Sequence, residues 1–175
     1  MKSFTPILAL GLAGLVQSLD MSFYKPGAGV EPEFKAYVEE LYRSTEVPAY
    51  TTEFSNFFTP DGQLIVRGIV ATGSDEIIAL KQRLLPPAGN KHWNHRPNAT
   101  TVDSDSSTQK VYQVLGVIQA TYDGVNCSQA YYSTRFTVVK NAGVLSFETH
   151  AGNLAKYDDF IIQPSVSPTD IACDP

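Results

Sequence analysis

Apolar residues recur at helical spacing in the first part of the chain. In the segment EFKAYVEELYRS, which begins at Glu33, aromatic and aliphatic side chains follow one another at intervals of three and four positions. This spacing places them on one face and predicts an amphipathic helix. The members of the predicted face are Phe34, Tyr37, Val38, Leu41 and Tyr42.

Two further helices are predicted downstream. The segment AYTTEFSNFF carries aromatic residues at helical spacing, with Pro48 at its first turn, where no backbone N–H is needed. The run Pro60-Asp61-Gly62 then favours a turn that ends this helix. The segment GSDEIIALKQRLLP predicts the third helix, with Ser74 as its N-cap and Pro86 at its end.

The remaining pattern predicts strands. One short strand is expected in QLIVRGIVA, with Gly68 near its middle. From residue 91 the chain alternates between polar and apolar positions in four segments, KHWNHRPNATTV, KVYQVLGVIQATY, QAYYSTRFTVVK and GVLSFETHA. Helices first and a long meander second predict an α+β domain. We expect three N-terminal helices packed on a strongly curved antiparallel sheet, a cone-shaped barrel that encloses a pocket.

The N-terminus predicts a secretory signal peptide. Lys2 precedes the apolar run ILALGLAGLV, and the small residues of VQS follow it, so we expect cleavage after Ser18. We divide the rest into a lead-in segment (19–32), a domain (33–158) and a tail (159–175) that wraps around the domain or is mobile. No later stretch is apolar enough for a membrane helix, so we expect a protein outside the cell or in a secretory vesicle, without membrane contact.

Secretion changes how the cysteines and the sequons are interpreted. The chain has two cysteines, Cys127 and Cys173, and an oxidising compartment favours one disulfide that ties the tail to the domain. The alternative is two free thiols. Asn98 and Asn126 stand in Asn-X-Ser/Thr triplets, so both are candidates for glycosylation.

Composition excludes several function classes. The formal net charge is −5 at pH 7 and the chain has no arginine run, so nucleic acid and anionic membrane are not expected partners. The sequence contains no P-loop, GxGxxG, HExxH or GxSxG motif. The histidines do not have the spacing of metal ligands on one element, so neither metal nor cofactor is expected.

The order of elements resembles the nuclear transport factor 2-like superfamily, and within it the SnoaL-like branch. FSNFFTPDGQLIVRG is similar to the second helix, acidic turn and first strand, and HWNHRPNATTVD to the strand that bears His and Asn. YYSTRFTVVKNAGVLSFETHA is similar to the last hairpin. The resemblance covers about residues 32–157 and, with the leader and sequons, implies a secreted fungal member. It implies proton transfer beside a carbonyl without metal or cofactor, and a possible homodimer through the sheet face.

The histidine-rich segment around Trp93 supplies the first catalytic candidate. A glycosylated Asn98 must face solvent, so strand alternation turns Trp93 and His95 inward and His92 outward. Pro97 implies an edge or a bulge, which could reverse this assignment. An inward His95 is a candidate general acid or base. The alternative is a core histidine whose nitrogens are satisfied by neighbours.

The remaining site candidates lie elsewhere along the chain. Glu148 and His150 are two positions apart on one predicted strand face and form a reserve proton-transfer pair, or else a solvated pair. Aromatic residues at strand or helix spacing are expected to line the cavity or simply to fill the core. The predicted ligand-binding residues are Tyr50, Phe54, Trp93, Tyr132 and Phe136.

Two functions from different classes remain open. The first is a secreted enzyme that cyclises, isomerises or dehydrates a small hydrophobic, oxygenated molecule of polyketide type by cofactor-free proton transfer. The second is a secreted, non-catalytic module of the same fold that binds a small molecule or another partner. A cavity that holds an imidazole and a second polar group favours the first, and a purely apolar cavity favours the second.

Overall fold

The computed structural model describes residues 19–122 and 126–163. In this part of the chain three helices pack on a curved eight-stranded sheet, which confirms the predicted α+β class. The helices are α1 (Glu33–Glu46), α2 (Thr52–Ser55) and α3 (Gly73–Leu84). The strands are β1 (Lys25–Pro26), β2 (Phe58–Val66), β3 (Ile69–Thr72), β4 (Lys91–Asp105), β5 (Gln109–Tyr122), β6 (Asn126–Asn141), β7 (Val144–Leu145) and β8 (Leu154–Gln163).

The sheet is built around a meander of long antiparallel strands. The strand order is β1-β4-β5-β6-β8-β2-β3, and the short β7 pairs with the end of β6. In the series β4-β5-β6-β8 each strand runs antiparallel to the next. At the two ends of this series, β1 is parallel to β4 and β2 is parallel to β8. The long meander supplies the concave face on which the helices lie.

The apolar face predicted for the first helix is the centre of the core. Its five residues are fully buried. The ring of Phe34 stacks on that of Tyr112 from β5 with 4.0 Å between centroids, and Tyr42 packs edge-on against Phe136 from β6 at 5.9 Å. Helical periodicity therefore identified the contact between α1 and the sheet correctly.

The second helix is shorter than predicted, because the strand after it begins early. Helix α2 covers only four residues, and Pro60-Asp61-Gly62 lies inside β2 instead of forming a separate turn. The pairing of β2 with β8 shifts between Phe58 and Gln63. A Cβ atom on Gly62 would lie 2.9 Å from Phe58 Cβ, so glycine permits this close, irregular backbone.

Two details around β3 also differ from prediction. The segment QLIVRGIVA forms a hairpin, in which Arg67 (φ 51°) and Gly68 (φ 81°) make the two-residue turn between β2 and β3. Thr72, not Ser74, is the residue that precedes α3. The Ser74 hydroxyl instead donates to the Ser55 hydroxyl at 2.9 Å, which joins α3 to α2.

The C-terminal part of the domain also departs from prediction. GVLSFETHA contributes only the short β7, followed by an irregular stretch up to Asn153. The last long strand is β8, which continues past Asp158, the residue at which we expect the domain to end. The predicted signal peptide, the Asn126 side chain and Cys173 lie outside the described residues, so cleavage, glycosylation at Asn126 and the Cys127–Cys173 disulfide stay predictions.

Residues 19–122 and 126–163 lack two features, a membrane-spanning helix and a cluster of metal ligands. In that part of the chain no helix has the length and hydropathy needed to span a membrane. It also contains no group of three or more His, Cys, Asp or Glu residues placed to hold a metal ion.

Candidate active site

A cavity lies between the helices and the concave face of the sheet. It comprises about 390 Å³ of atom-free space, including the part that opens to solvent. All three helices and the strands β2, β4, β5 and β8 contribute to its wall. Most of its lining is apolar, with one carboxyl and one ammonium group; the lining residues are Thr45, Phe54, Leu64, Val66, Lys81, Leu84, Trp93, Ile118, Tyr157 and Asp159.

His95 adjoins this cavity and points inward, as predicted. It is 4% exposed, and in the sheet it pairs with Ile118, a residue of the cavity wall. Its ring stacks on Tyr42 from α1, with 4.4 Å between the centroids. His92, three positions earlier on the same strand, is exposed. The chain therefore places one histidine of this segment, not both, at the cavity.

Asn98 does not face solvent, although its outward direction is the premise from which the inward direction of His95 is predicted. It is only 5% exposed, and glycosylation at its sequon stays a prediction. Between Pro97 and Thr100 the pairing of β4 with β5 shifts, so three steps on β4 match two on β5. This bulge buries Pro97 and Asn98 together. The bulge lies after His95 in the strand, so the imidazole still points inward although Asn98 does not point outward.

A carboxylate from α1 fixes the orientation of His95. Glu46 Oε1 lies 3.0 Å from His95 Nδ1 and also accepts the backbone N–H of His95. A carboxylate oxygen can only accept, so Nδ1 carries the hydrogen of this bond. The opposite nitrogen, Nε2, makes no hydrogen bond to the described residues. Glu46 was not predicted, because only the folded chain brings the end of α1 to β4.

Asp159 is the second acid–base candidate, and sequence reasoning missed it. It lines the cavity from β8 and accepts a hydrogen bond of 2.6 Å from the Thr134 hydroxyl on β6. Burial raises the pKa of Asp159, while the Thr134 hydrogen bond and a positive charge on His95 oppose that rise. Strand alternation, with Tyr157 on the same face, was the available signal, but we placed the domain boundary at Asp158.

Lys81 is the only cation that lines the cavity in the described part of the chain. It is 2% exposed, and its Nζ donates to the backbone carbonyl of Val47 at 2.7 Å and faces that of Pro48 at 3.5 Å. Burial lowers the pKa of Lys81 to about 8. Its position among Ile77 and Leu84 on the apolar face of α3 was visible in the sequence but was not used.

The structure divides the predicted aromatic site residues into three groups. Phe54 and Trp93 line the cavity as expected. Tyr132 and Phe136 are fully buried in the core instead, although the Tyr132 ring lies 5.7 Å from that of His95. The hydroxyl of Tyr132 is buried without a hydrogen-bond partner. Tyr50 lies away from the cavity wall, where its hydroxyl accepts from Arg43 at 3.3 Å.

The reserve pair of Glu148 and His150 is not formed. Both residues follow β7 in an irregular segment, so they do not share a strand face, and Glu148 is exposed. His150 Nε2 lies 3.2 Å from Glu40 Oε1, and Nδ1 lies 2.6 Å from the Glu53 carbonyl oxygen. His150 thus joins the last loop to α1 and α2 and does not line the cavity.

Comparison with known proteins gives the class of fold. No protein-family model and no curated protein sequence matches the chain. The ActVI-ORFA protein of Streptomyces coelicolor matches with a TM-score of 0.59 at 13% identity, over 74% of this chain and 95% of that one. A candidate scytalone dehydratase of Novosphingobium aromaticivorans matches with 0.59 at 12% identity, over 81% of this chain and 89% of that one.

A carotenoid-binding protein shares the same architecture over part of its length. The orange carotenoid protein of Anabaena, in complex with canthaxanthin, matches with a TM-score of 0.54 at 15% identity. The match covers 87% of this chain and 43% of that protein. These likenesses show the fold alone, a cone of helices packed on a curved sheet.

Proposed function

We propose that this chain is a secreted enzyme that moves a proton beside a carbonyl group of a small hydrophobic, oxygenated molecule. The reaction class is cyclisation, isomerisation or dehydration without a cofactor, and a polyketide-type skeleton suits the wall of the cavity. The observation that carries the proposal is a half-buried carboxyl group, Asp159, on the wall of an apolar cavity that adjoins an oriented imidazole, His95.

The two groups suit complementary steps. His95 Nε2 accepts the proton from the carbon beside the carbonyl, and Glu46 stabilises the imidazolium that forms through its contact with Nδ1. Asp159, whose pKa is raised by burial, gives its proton to the oxygen on which negative charge develops. The products of this step are an enol, an imidazolium and a carboxylate, so atoms and charges balance. Returning the protons at other positions gives isomerisation, and delivering one to a β-hydroxyl group releases water.

Hydrogen exchange into a ketone tests this proposal without knowledge of the natural substrate. We expect the protein to accelerate deuterium uptake by 1-tetralone, a bicyclic aromatic ketone, at the carbon beside its carbonyl in D₂O, followed by NMR. The variants His95→Gln and Asp159→Asn should each lower the rate by about 100-fold or more, the usual contribution of a positioned acid or base. His92→Gln is the matched control, because His92 is exposed on the same strand, and its rate should not change.

Two results would contradict the proposal. Exchange that is equally fast in His95→Gln and wild type removes the imidazole from the mechanism. Binding of 1-tetralone without any exchange above the buffer rate favours the non-catalytic module instead. Circular dichroism of each variant shows that a lost rate does not reflect a lost fold.

A further inference from the structure

Lys81 is a buried cation without a counter-ion. An ammonium group has three N–H donors, and the structure offers this one the carbonyls of Val47 and Pro48. Among the described residues, no carboxylate oxygen lies within 4.0 Å of Lys81 Nζ, the distance that defines an ion pair. Neither Asp159 nor Glu53 therefore neutralises the ammonium group directly. Buried charges of this kind are normally paired.

The surroundings of Lys81 point to a ligand as the missing partner. The side chain lines the cavity together with apolar groups of Phe54, Leu84 and Trp93, which offer it no acceptor. The backbone carbonyls that it contacts belong to the connection between α1 and α2, so the ammonium is held in one place at the helical end of the cavity. A pre-positioned donor that is itself shielded from water binds an oxygen strongly, because less water competes for it.

We propose that Lys81 is the anchor for an anionic oxygen, a phenolate or an enolate, on the small apolar molecule that this cavity binds. The ligand class is therefore an aromatic or fused-ring compound with an ionisable hydroxyl group or an enolisable carbonyl. Lys81 and Asp159 line the same cavity without an ion pair between them, and we assign them to two different oxygens of the ligand. The inference deepens the proposed function, because it names the substrate class of the same cavity.

A phenol whose ionisation is visible tests the anchor without any turnover. The probe is 4-nitrophenol, because its phenolate has an absorption band that the neutral phenol lacks. We expect wild-type protein to bind the phenolate at least about tenfold more tightly than the phenol, which lowers the pKa of the bound probe by about one unit. In Lys81→Met the bound probe should ionise at the same pH as the free probe or higher, and 4-nitroanisole, which cannot ionise, should bind equally well to both proteins.

Matched variants distinguish this anchor from other effects. Lys91→Met removes a second cation, which lies 5.1 Å from the ring of Trp93, and should retain the preference for phenolate. Lys81→Gln, which can still donate to the Val47 carbonyl, should lose the preference and serves if Lys81→Met does not fold. His95→Gln should keep the preference although it loses exchange into 1-tetralone, so failure of the proposed function and failure of the anchor are separable.

Three outcomes overturn the inference. The first is an unchanged phenolate preference in both Lys81 variants. The second is loss of 4-nitroanisole binding together with that of 4-nitrophenol in folded Lys81→Gln, which makes Lys81 a part of the cavity's shape only. The third is a wild-type protein that binds neither probe.

Discussion

Gly116 on β5 is the position at which one added methyl group should have the largest effect near the candidate site. A Cβ atom there would lie 2.4 Å from the Tyr132 hydroxyl oxygen, 2.5 Å from Tyr132 Cζ and 2.7 Å from the backbone oxygen of Arg96. Ordinary contacts of a Cβ atom lie at 3.4–4 Å, so the Gly116→Ala variant requires a displacement of about 1 Å. The Tyr132 ring thus occupies the space that a side chain at position 116 would need.

The loss of stability in Gly116→Ala depends on how far the Tyr132 ring and the Arg96 backbone can move. The Tyr132 ring is 1% exposed and is packed against Tyr42 and His95 at 5.9 and 5.7 Å between centroids. The other clash involves backbone within the sheet. Overpacking of this kind costs about 1–3 kcal/mol, and the backbone entropy gained from alanine offsets about 0.5 kcal/mol. We expect Gly116→Ala to lower the free energy of unfolding by about 2 kcal/mol.

Urea denaturation followed by far-UV circular dichroism measures this change, with Gly89→Ala as the control. Gly89 is exposed, and its nearest contact for a Cβ atom is 3.2 Å, so we expect a small effect there. A change of about 2 kcal/mol corresponds to a melting temperature about 4–8 °C lower in a domain of this size. Adding Gly116→Ala to Tyr132→Leu should cost less than adding it to the wild type, because the clash with the ring is then absent and only that with the Arg96 backbone oxygen remains.

Two results would refute the reasoning about this close approach. A loss below about 0.5 kcal/mol in Gly116→Ala, within the range of a neutral surface substitution, means that the ring does not occupy this space. Strict additivity of Gly116→Ala and Tyr132→Leu means that the destabilisation does not arise from their contact.

Two further predictions concern ionisable groups. The raised pKa of Asp159 means that the folded protein holds this proton more tightly than the unfolded chain does, so its contribution to stability is lost as pH rises through the folded pKa. Asp159→Asn, which keeps an acceptor for Thr134, should therefore raise the melting temperature at neutral pH and not at low pH; a gain that does not depend on pH contradicts this. Lys110 is 5% exposed and donates to Glu31 and to the Gly29 carbonyl, both at 2.7 Å. Lys110→Met should cost about 2 kcal/mol in urea denaturation, because the partly exposed Glu31 carboxylate loses its ammonium partner and keeps only the hydrogen bond from the Tyr112 hydroxyl. A loss under about 0.5 kcal/mol would show that the pair is not stabilising.

Local sequence patterns correctly predicted those features that depend on a single helix or strand. The spacing of Phe34, Tyr37 and Leu41 identified the buried face of α1, because a helix places such residues on one side whatever it packs against. Alternation along β4 similarly turned Trp93 and His95 toward the interior. The same reasoning failed at Asn98, because a bulge changes the parity of a strand and depends on the partner strand.

Some residues of the candidate site could be predicted from local patterns, and others depend on which elements lie side by side. Trp93 and His95 were predictable as neighbours on one strand face, because they are two positions apart, but the outward Asn98 from which the inward direction was predicted is buried. Asp159 was not, because its role depends on β8 lying beside β2 and β6, which strand periodicity in a single chain does not specify. Glu46 lies 49 positions before His95, and only folding brings the two together.

The amino-acid sequence by itself determined the class of fold, the amphipathic face of α1 and the shared strand face of Trp93 and His95, because these depend on the order of the elements and on intervals of two to four residues. The tertiary structure alone decided which charges meet at the cavity. It paired Glu46 with His95, left Lys81 without a counter-ion and raised the pKa of Asp159 by burial. The physical reason is that burial and charge pairing are properties of the space between elements, and no single element contains that space.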